Sequence, residues 1–187
     1  GMLVTPGFVD IHTHYDGQVT WENSLRPSNA HGVTSVLMGN CGVGFAPCRP
    51  ADRDRLVHLM EGVADLAEVV LPTGRPWTWE PCPAYMAAVA QRQFDADVAA
   101  QIPHAALRVY VMGQRAADRE EATPADCAEM ARLAGEAIAA GALGFGTSRT
   151  LNHRASDGSL IPTLSAAEAE LAAIAGALGA RRSGVLQ

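Results

Sequence analysis

The sequence has 187 residues, with 14 lysines and arginines against 20 aspartates and glutamates, for a formal net charge of −6. Apolar residues at 48% and charged residues at 18% exclude a disordered chain, and an acidic balance without a Lys/Arg cluster argues against nucleic acid or an anionic membrane as partner. No apolar run approaches the roughly 18 residues of a membrane span, and four cysteines at wide, unequal intervals fit a reducing cytoplasm better than a disulfide scaffold.

The first predicted element is a short buried strand over Gly7–Ile11 (GFVDI), entered through Pro6. Gly32–Met38 (GVTSVLM), β-branched and apolar, predicts a second strand that leaves through Gly39-Asn40-Cys41-Gly42. Leu56, Leu59, Met60, Val63 and Leu66 recur at helical spacing and predict a helix over Asp52–Leu66. A loop with prolines and tryptophans, Pro72–Pro83, precedes a shorter helix around Ala84–Gln93. Asp97–Ile102 predicts a strand that ends at Pro103-His104. Thr123-Pro124-Ala125-Asp126 has the form of a capping box with proline at the first helical position, and Gly141 is placed to close that helix. Ala142–Thr147 predicts a strand and Ser148–Pro162 a polar loop. Ser165-Ala166-Ala167-Glu168 starts a second capped helix that runs to about Leu178 and closes at Gly179, and Gly184–Gln187 opens another strand. Strands alternating with helices imply βαβ units on a parallel sheet, four of them and the start of a fifth. No signal peptide is evident: the first residues have no basic region followed by an apolar core.

The sharpest chemical feature is His12-Thr13-His14, at the end of the first strand. Alternate side chains of a strand share a face, so the two imidazoles point the same way. Parallel-sheet enzymes place their sites at this end, where such a pair can ligate a metal or be two ordinary polar residues entering a loop. Cys41 lies just past the second strand, at the same mouth. A thiolate there is a strong zinc ligand and a thiol there is a small buried hydrophobe; both readings stand at this point. Asp10 is expected to share the inward face with the histidines and to orient an imidazole as an acceptor behind it. His104, after the third strand, is expected to reach the mouth as a substrate or supporting contact, or to be a satisfied structural histidine. His31 enters a strand at the opposite face and His58 sits among charges on a helix, so neither is expected at the site. His153, Arg149 and Arg154 share a polar loop on the active face. Cys48, Cys82 and Cys127 are expected to fill core. No phosphate loop, nucleophile elbow or His-Glu-x-x-His is present.

Pro6-Gly7-Phe8-Val9-Asp10-Ile11-His12-Thr13-His14 resembles the first-strand signature of the amidohydrolase superfamily. His14-Tyr15-Asp16, His31-Gly32-Val33-Thr34, the run Met38 to Cys48 and Gly141-Ala142-Leu143-Gly144-Phe145 narrow the resemblance to the N-acyl-D-amino-acid deacylases, over nearly the whole chain. The resemblance implies a (β/α)₈ barrel beside a small β-sandwich, with Cys41 a ligand of a tightly held zinc and His12 and His14 lining an adjacent, weaker metal position. It implies hydrolysis of an N-acyl amide, with metal polarising the carbonyl and a carboxylate carrying the proton to the leaving amine.

The same resemblance assigns residues 1–187 to the N-terminal half of the barrel, about four βα units of a partial TIM-type barrel in an α/β fold. Two further zinc histidines and the acid–base aspartate are then expected beyond Gln187, and the β-sandwich and C-terminal half-barrel are expected to be absent. A half-barrel is expected to have little activity alone and to pair with a copy of itself or cover its edge with rearranged elements, because its sheet has an open edge. Two departures from the pattern are Pro103, where a glycine is usual, and Gly146, where a serine is often found. A cyclic-amide hydrolase of the dihydropyrimidinase type is the neighbouring alternative, but its bridging lysine has no counterpart in Ala142–Thr150. A non-catalytic half-barrel that only assembles or binds metal weakly is the alternative from another class.

Overall fold

The computed structural model describes residues 1–64 and 77–187. Five strands, β1 (Phe8–Asp10), β2 (Val33–Met38), β3 (Asp97–Pro103), β4 (Gly144–Gly146) and β5 (Val185–Leu186), pair in sequential order. Every pairing is parallel, and the sheet curls as half of a barrel. Sequential order follows from the chain: each connection holds enough residues for a crossover back to the same edge of the sheet. Six helices occur among the described residues: α1 (Arg53–Ala64), α2 (Cys82–Ala90), α3 (His104–Met112), α4 (Gln114–Ala117), α5 (Pro124–Ala139) and α6 (Glu168–Arg181). None of them is long and apolar enough to cross a membrane.

The core lies between the sheet and these helices. Met38, Ile102 and Phe145 from three adjacent strands are buried with Leu56, Met60, Leu107, Met130 and Ile174 from four helices. The capping box is formed as predicted: Asp126 N donates to Thr123 Oγ1 at 3.2 Å, and Thr123 N donates to Asp126 Oδ2 at 2.8 Å. The second predicted cap is not. Ala167 precedes α6 without a side-chain cap, Ser165 belongs to a preceding 3-10 turn and donates to Arg119 O, and the helix passes Gly179 to end at Arg181, capped by a left-handed Arg182.

Helices α3 and α4 were not expected from the sequence. Tyr110 and the β-branched Val109 and Val111 obscure the helical pattern of α3, which starts directly from the strand-ending Pro103. The predicted end of the first long helix at Leu66, and the start of the Pro72–Pro83 loop, fall outside the described residues.

Both edges of the sheet are apolar and open. Phe8 and Val9 on β1 and Ile11 just after it are 69%, 65% and 69% exposed, and Val185 and Leu186 are 65% and 50% exposed on β5. In a parallel sheet such residues are ordinarily covered on both faces.

Candidate metal centre

The strand β1 ends at Asp10, and the chain bends at His12. His12 and His14 therefore project from a loop just beyond the strand, with ring centroids 5.6 Å apart and planes at 75°. The β2 exit supplies the third donor. Gly39 and Gly42 both have positive φ, at 85° and 71°, and Cys41 between them is itself left-handed at φ 56°. A Cβ at Gly39 would collide with the Gln101 carbonyl, and one at Gly42 would lie 3.1 Å from Thr147 Cα. Glycine is thus required on each side of Cys41, and the cysteine holds a conformation that costs about 1–2 kcal/mol for a residue with a Cβ.

This turn brings Cys41 Sγ to 3.3 Å from His12 Nε2. One donor atom from each of His12, His14 and Cys41 lies within 4.8 Å of the others, the one such trio among the described residues. His14 Nδ1 is buried and has no hydrogen-bond partner. Burial lowers the His14 pKa to about 4, aided by the charges of His12 and His153, so its ring is neutral at pH 7 with a lone pair free. Burial, and then the charge of Asp16, push the Cys41 thiol up. A cation among these donors would reverse that preference and favour the thiolate. An unpartnered buried nitrogen, a neutral imidazole and a soft sulfur together fit a zinc-like divalent ion.

The other candidates are placed differently. Asp10 does not stand behind an imidazole: Oδ1 accepts the backbone N–H of His12 at 3.2 Å, and Oδ2 faces the Ser28 hydroxyl at 3.4 Å. The bend after β1 breaks the alternation that would have put Asp10 on the histidine side. His104 does not reach the mouth. It is fully buried, with Nδ1 2.7 Å from Thr147 Oγ1 and Nε2 2.6 Å from Glu170 Oε1. Arg108 Nε lies 3.2 Å from the same Glu170 oxygen, an ion pair without hydrogen-bond alignment. His153 Nδ1 meets Ser148 Oγ at 2.7 Å, and His58 is a surface residue beside Glu61 and Ser156. Cys48 and Cys82 are buried; Cys127 is only partly so.

Sequence reasoning passed over Glu170 and Asp16. Glu170 shares its helix face with buried Ile174 and Leu178 at four-residue spacing, a signal that this glutamate points inward. Asp16 is buried, its pKa raised to about 7 by desolvation against a hydrogen bond from the Gly39 backbone.

Residues 1–187 match the profile described as "Amidohydrolase family". An uncharacterized protein of Mycobacterium tuberculosis is 38% identical over 148 residues, 78% of this chain and 24% of the relative. A D-aminoacylase of Alcaligenes xylosoxydans xylosoxydans is 34% identical over 149 residues, 79% of this chain and 28% of the relative. The crystal structure of a D-aminoacylase superposes with a TM-score of 0.72 at 28% identity, over 97% of this chain and 33% of that one. An N-acyl-D-glutamate deacylase from Bordetella bronchiseptica, complexed with zinc and a phosphonate inhibitor, gives 0.70 at 30% identity, over 95% and 32%. The chain spans about a quarter of the length of these curated relatives and about a third of the solved ones.

Proposed function

The chain belongs to the amidohydrolase family, and from that premise we propose that it carries part of the metal site of a zinc-dependent N-acyl-D-amino-acid deacylase. The observation that supports this most is the meeting of His12, His14 and Cys41 at the strand ends, with ligand atoms within 4.8 Å. The relatives that match are deacylases of N-acyl-D-amino acids, and one of the superposed structures holds zinc.

In this reading Cys41 is a ligand of a tightly held ion, and His12 and His14 line an adjacent, weaker position. A bound zinc ion supplies Lewis acidity, polarising an amide carbonyl and lowering the pKa of water. The chain's own residues prepare that chemistry. His14 is held neutral by burial, so it offers a lone pair without first losing a proton. The left-handed turn at Cys41 accompanies the approach of its sulfur to His12 Nε2. Hydrolysis also needs a group that carries a proton to the leaving amine. That aspartate and two further zinc histidines lie beyond Gln187 in our proposal, so little turnover is expected from these residues alone. Asp10 supports the loop that carries His12 through its backbone N–H, and His104 belongs to the buried cluster with Thr147 and Glu170.

The apolar edges at Phe8, Val9 and Ile11 and at Val185 and Leu186 support self-pairing of this chain. Light scattering behind size exclusion tests it: a well-folded monomer counts against pairing. The metal reading is tested by zinc content and by N-acetyl-D-amino acid hydrolysis. We expect bound zinc that Cys41→Ser releases, with weak or no hydrolysis. A chain that takes up no zinc, or whose zinc is indifferent to Cys41→Ser, overturns the assignment.

A further inference from the structure

We infer that Asn40 is a positioning residue that keeps the Cys41 thiol in ligand range of the two imidazoles; this rests on the metal reading above. Asn40 is completely buried. Its Nδ2 donates to Thr13 O at 3.0 Å and to Leu37 O at 2.8 Å. Two carbonyl oxygens can be faced only by the amino end of the amide, so the orientation of the side chain is set. Its Oδ1 then accepts from Gln101 Nε2 at 3.2 Å. The same Gln101 nitrogen donates to Gln187 Oε1 at 3.1 Å, and Gln187 Nε2 lies 3.1 Å from His12 Nδ1.

Asn40 thereby grips both ligand-bearing segments. Thr13 is the residue between His12 and His14, and Asn40 is covalently next to Cys41. Thr13 completes the knot from its side, donating N–H and Oγ1 to Leu37 O at 3.0 and 2.8 Å. The chain of amides from Asn40 through Gln101 and Gln187 ends on the ring of His12, so its two ends touch the two arms of the same site. Cys41 sits in a left-handed conformation that a free turn would leave. Loss of the Asn40 amide takes its donor from Thr13 O, leaves Leu37 O with only the Thr13 donors, and removes what holds that turn against the His-x-His loop.

The test uses the 187-residue chain and cobalt(II) ions alone, read by the thiolate-to-cobalt absorption band and by titration. Asn40→Ala and Asn40→Asp are expected to weaken cobalt binding about 10–100-fold, the usual cost of losing support behind a metal ligand. Thr13→Val is expected to weaken it in the same direction, and Thr13→Ser, which keeps the hydroxyl, to restore it. Asp95→Ala removes the carboxylate that accepts from Leu25 N and Ser24 Oγ at 2.9 Å in another part of the chain. It should lower the unfolding midpoint and leave the cobalt band in place, so that weaker cobalt binding in the Asn40 variants is not explained by lowered stability alone. Folded Asn40 variants with wild-type cobalt affinity overturn the inference, and where they do not fold the Thr13 pair decides it. If the parent chain gives no cobalt–thiolate band, the metal reading itself fails. Alkylation of Cys41 by iodoacetamide then decides the positioning role without metal: Asn40→Ala should speed it several-fold, and an unchanged rate overturns the role.

Discussion

Two groups of side chains at the same end of one parallel sheet have opposite characters. At the ends of β1 and β2, His12 is exposed and His14 keeps a buried nitrogen without a partner, beside a sulfur. Beyond β3 and β4, His104 is 0% exposed and both its nitrogens are partnered, by Thr147 and by Glu170. Glu170 and Arg108 already balance one another's charge there. The residue type and the place on the sheet are shared. What separates a centre that can accept a ligand from one that is closed is whether the imidazole nitrogens are already used: both are in His104 and one is not in His14, although Glu170 Oε2 and Arg108 Nε also lack a hydrogen bond.

That contrast can be broken most severely at Glu170. Glu170→Ala leaves Arg108 as an uncompensated buried charge and should cost about 3–5 kcal/mol in urea denaturation. A cost under about 1 kcal/mol, the level of a surface pair, would mean that the closed cluster is not closed. The open cluster should respond to metal instead. Zinc at about 100 times its dissociation constant should stabilise the chain by about 2.7 kcal/mol. Cys41→Ser should abolish that gain, and a gain that survives it would move the metal elsewhere.

Acidification probes the closed cluster more gently, since a proton leaves the packing intact. Burial holds the His104 pKa below its ordinary value, because another positive charge beside Arg108 finds no water. The unfolded chain, at about 6.5, then binds a proton that the folded chain refuses. Stability contributed by neutral His104 is present above that value and is lost as pH falls below it. Denaturation midpoints that do not fall between pH 7.5 and pH 5.5 would contradict this. The smallest effect belongs to His12→Ala without metal. An exposed side chain of this kind should change stability by no more than about 0.5 kcal/mol, although the same variant should weaken zinc binding.

Much of this layout is legible in the sequence. The short apolar run before His12-Thr13-His14, the β-branched run before Gly39-Asn40-Cys41-Gly42 and the capping box at Thr123 each state a local preference that the fold keeps. Helix α3 is not legible, because Val109, Tyr110 and Val111 have weak helix propensity and its packing against β3 and α5 is not visible in the sequence. The roles of Asp10 and His104 were also hidden. A bend of the chain after β1 turns Asp10 onto a backbone N–H, and a glutamate 66 residues along the chain closes over His104.

By itself the sequence determined the class of fold, and the resemblance of its motifs pointed to the family and to His12, His14 and Cys41, because periodicity, glycine placement and residue chemistry act over a few positions. Tertiary structure alone decided that the sulfur of Cys41 lies 3.3 Å from a ring 29 residues away. It also decided that Asn40 ties the two segments together and that Glu170 is buried. Those outcomes depend on the register of β1 against β2 and on where α6, packed on α5, meets the start of α3, long-range pairings whose geometry no local pattern encodes.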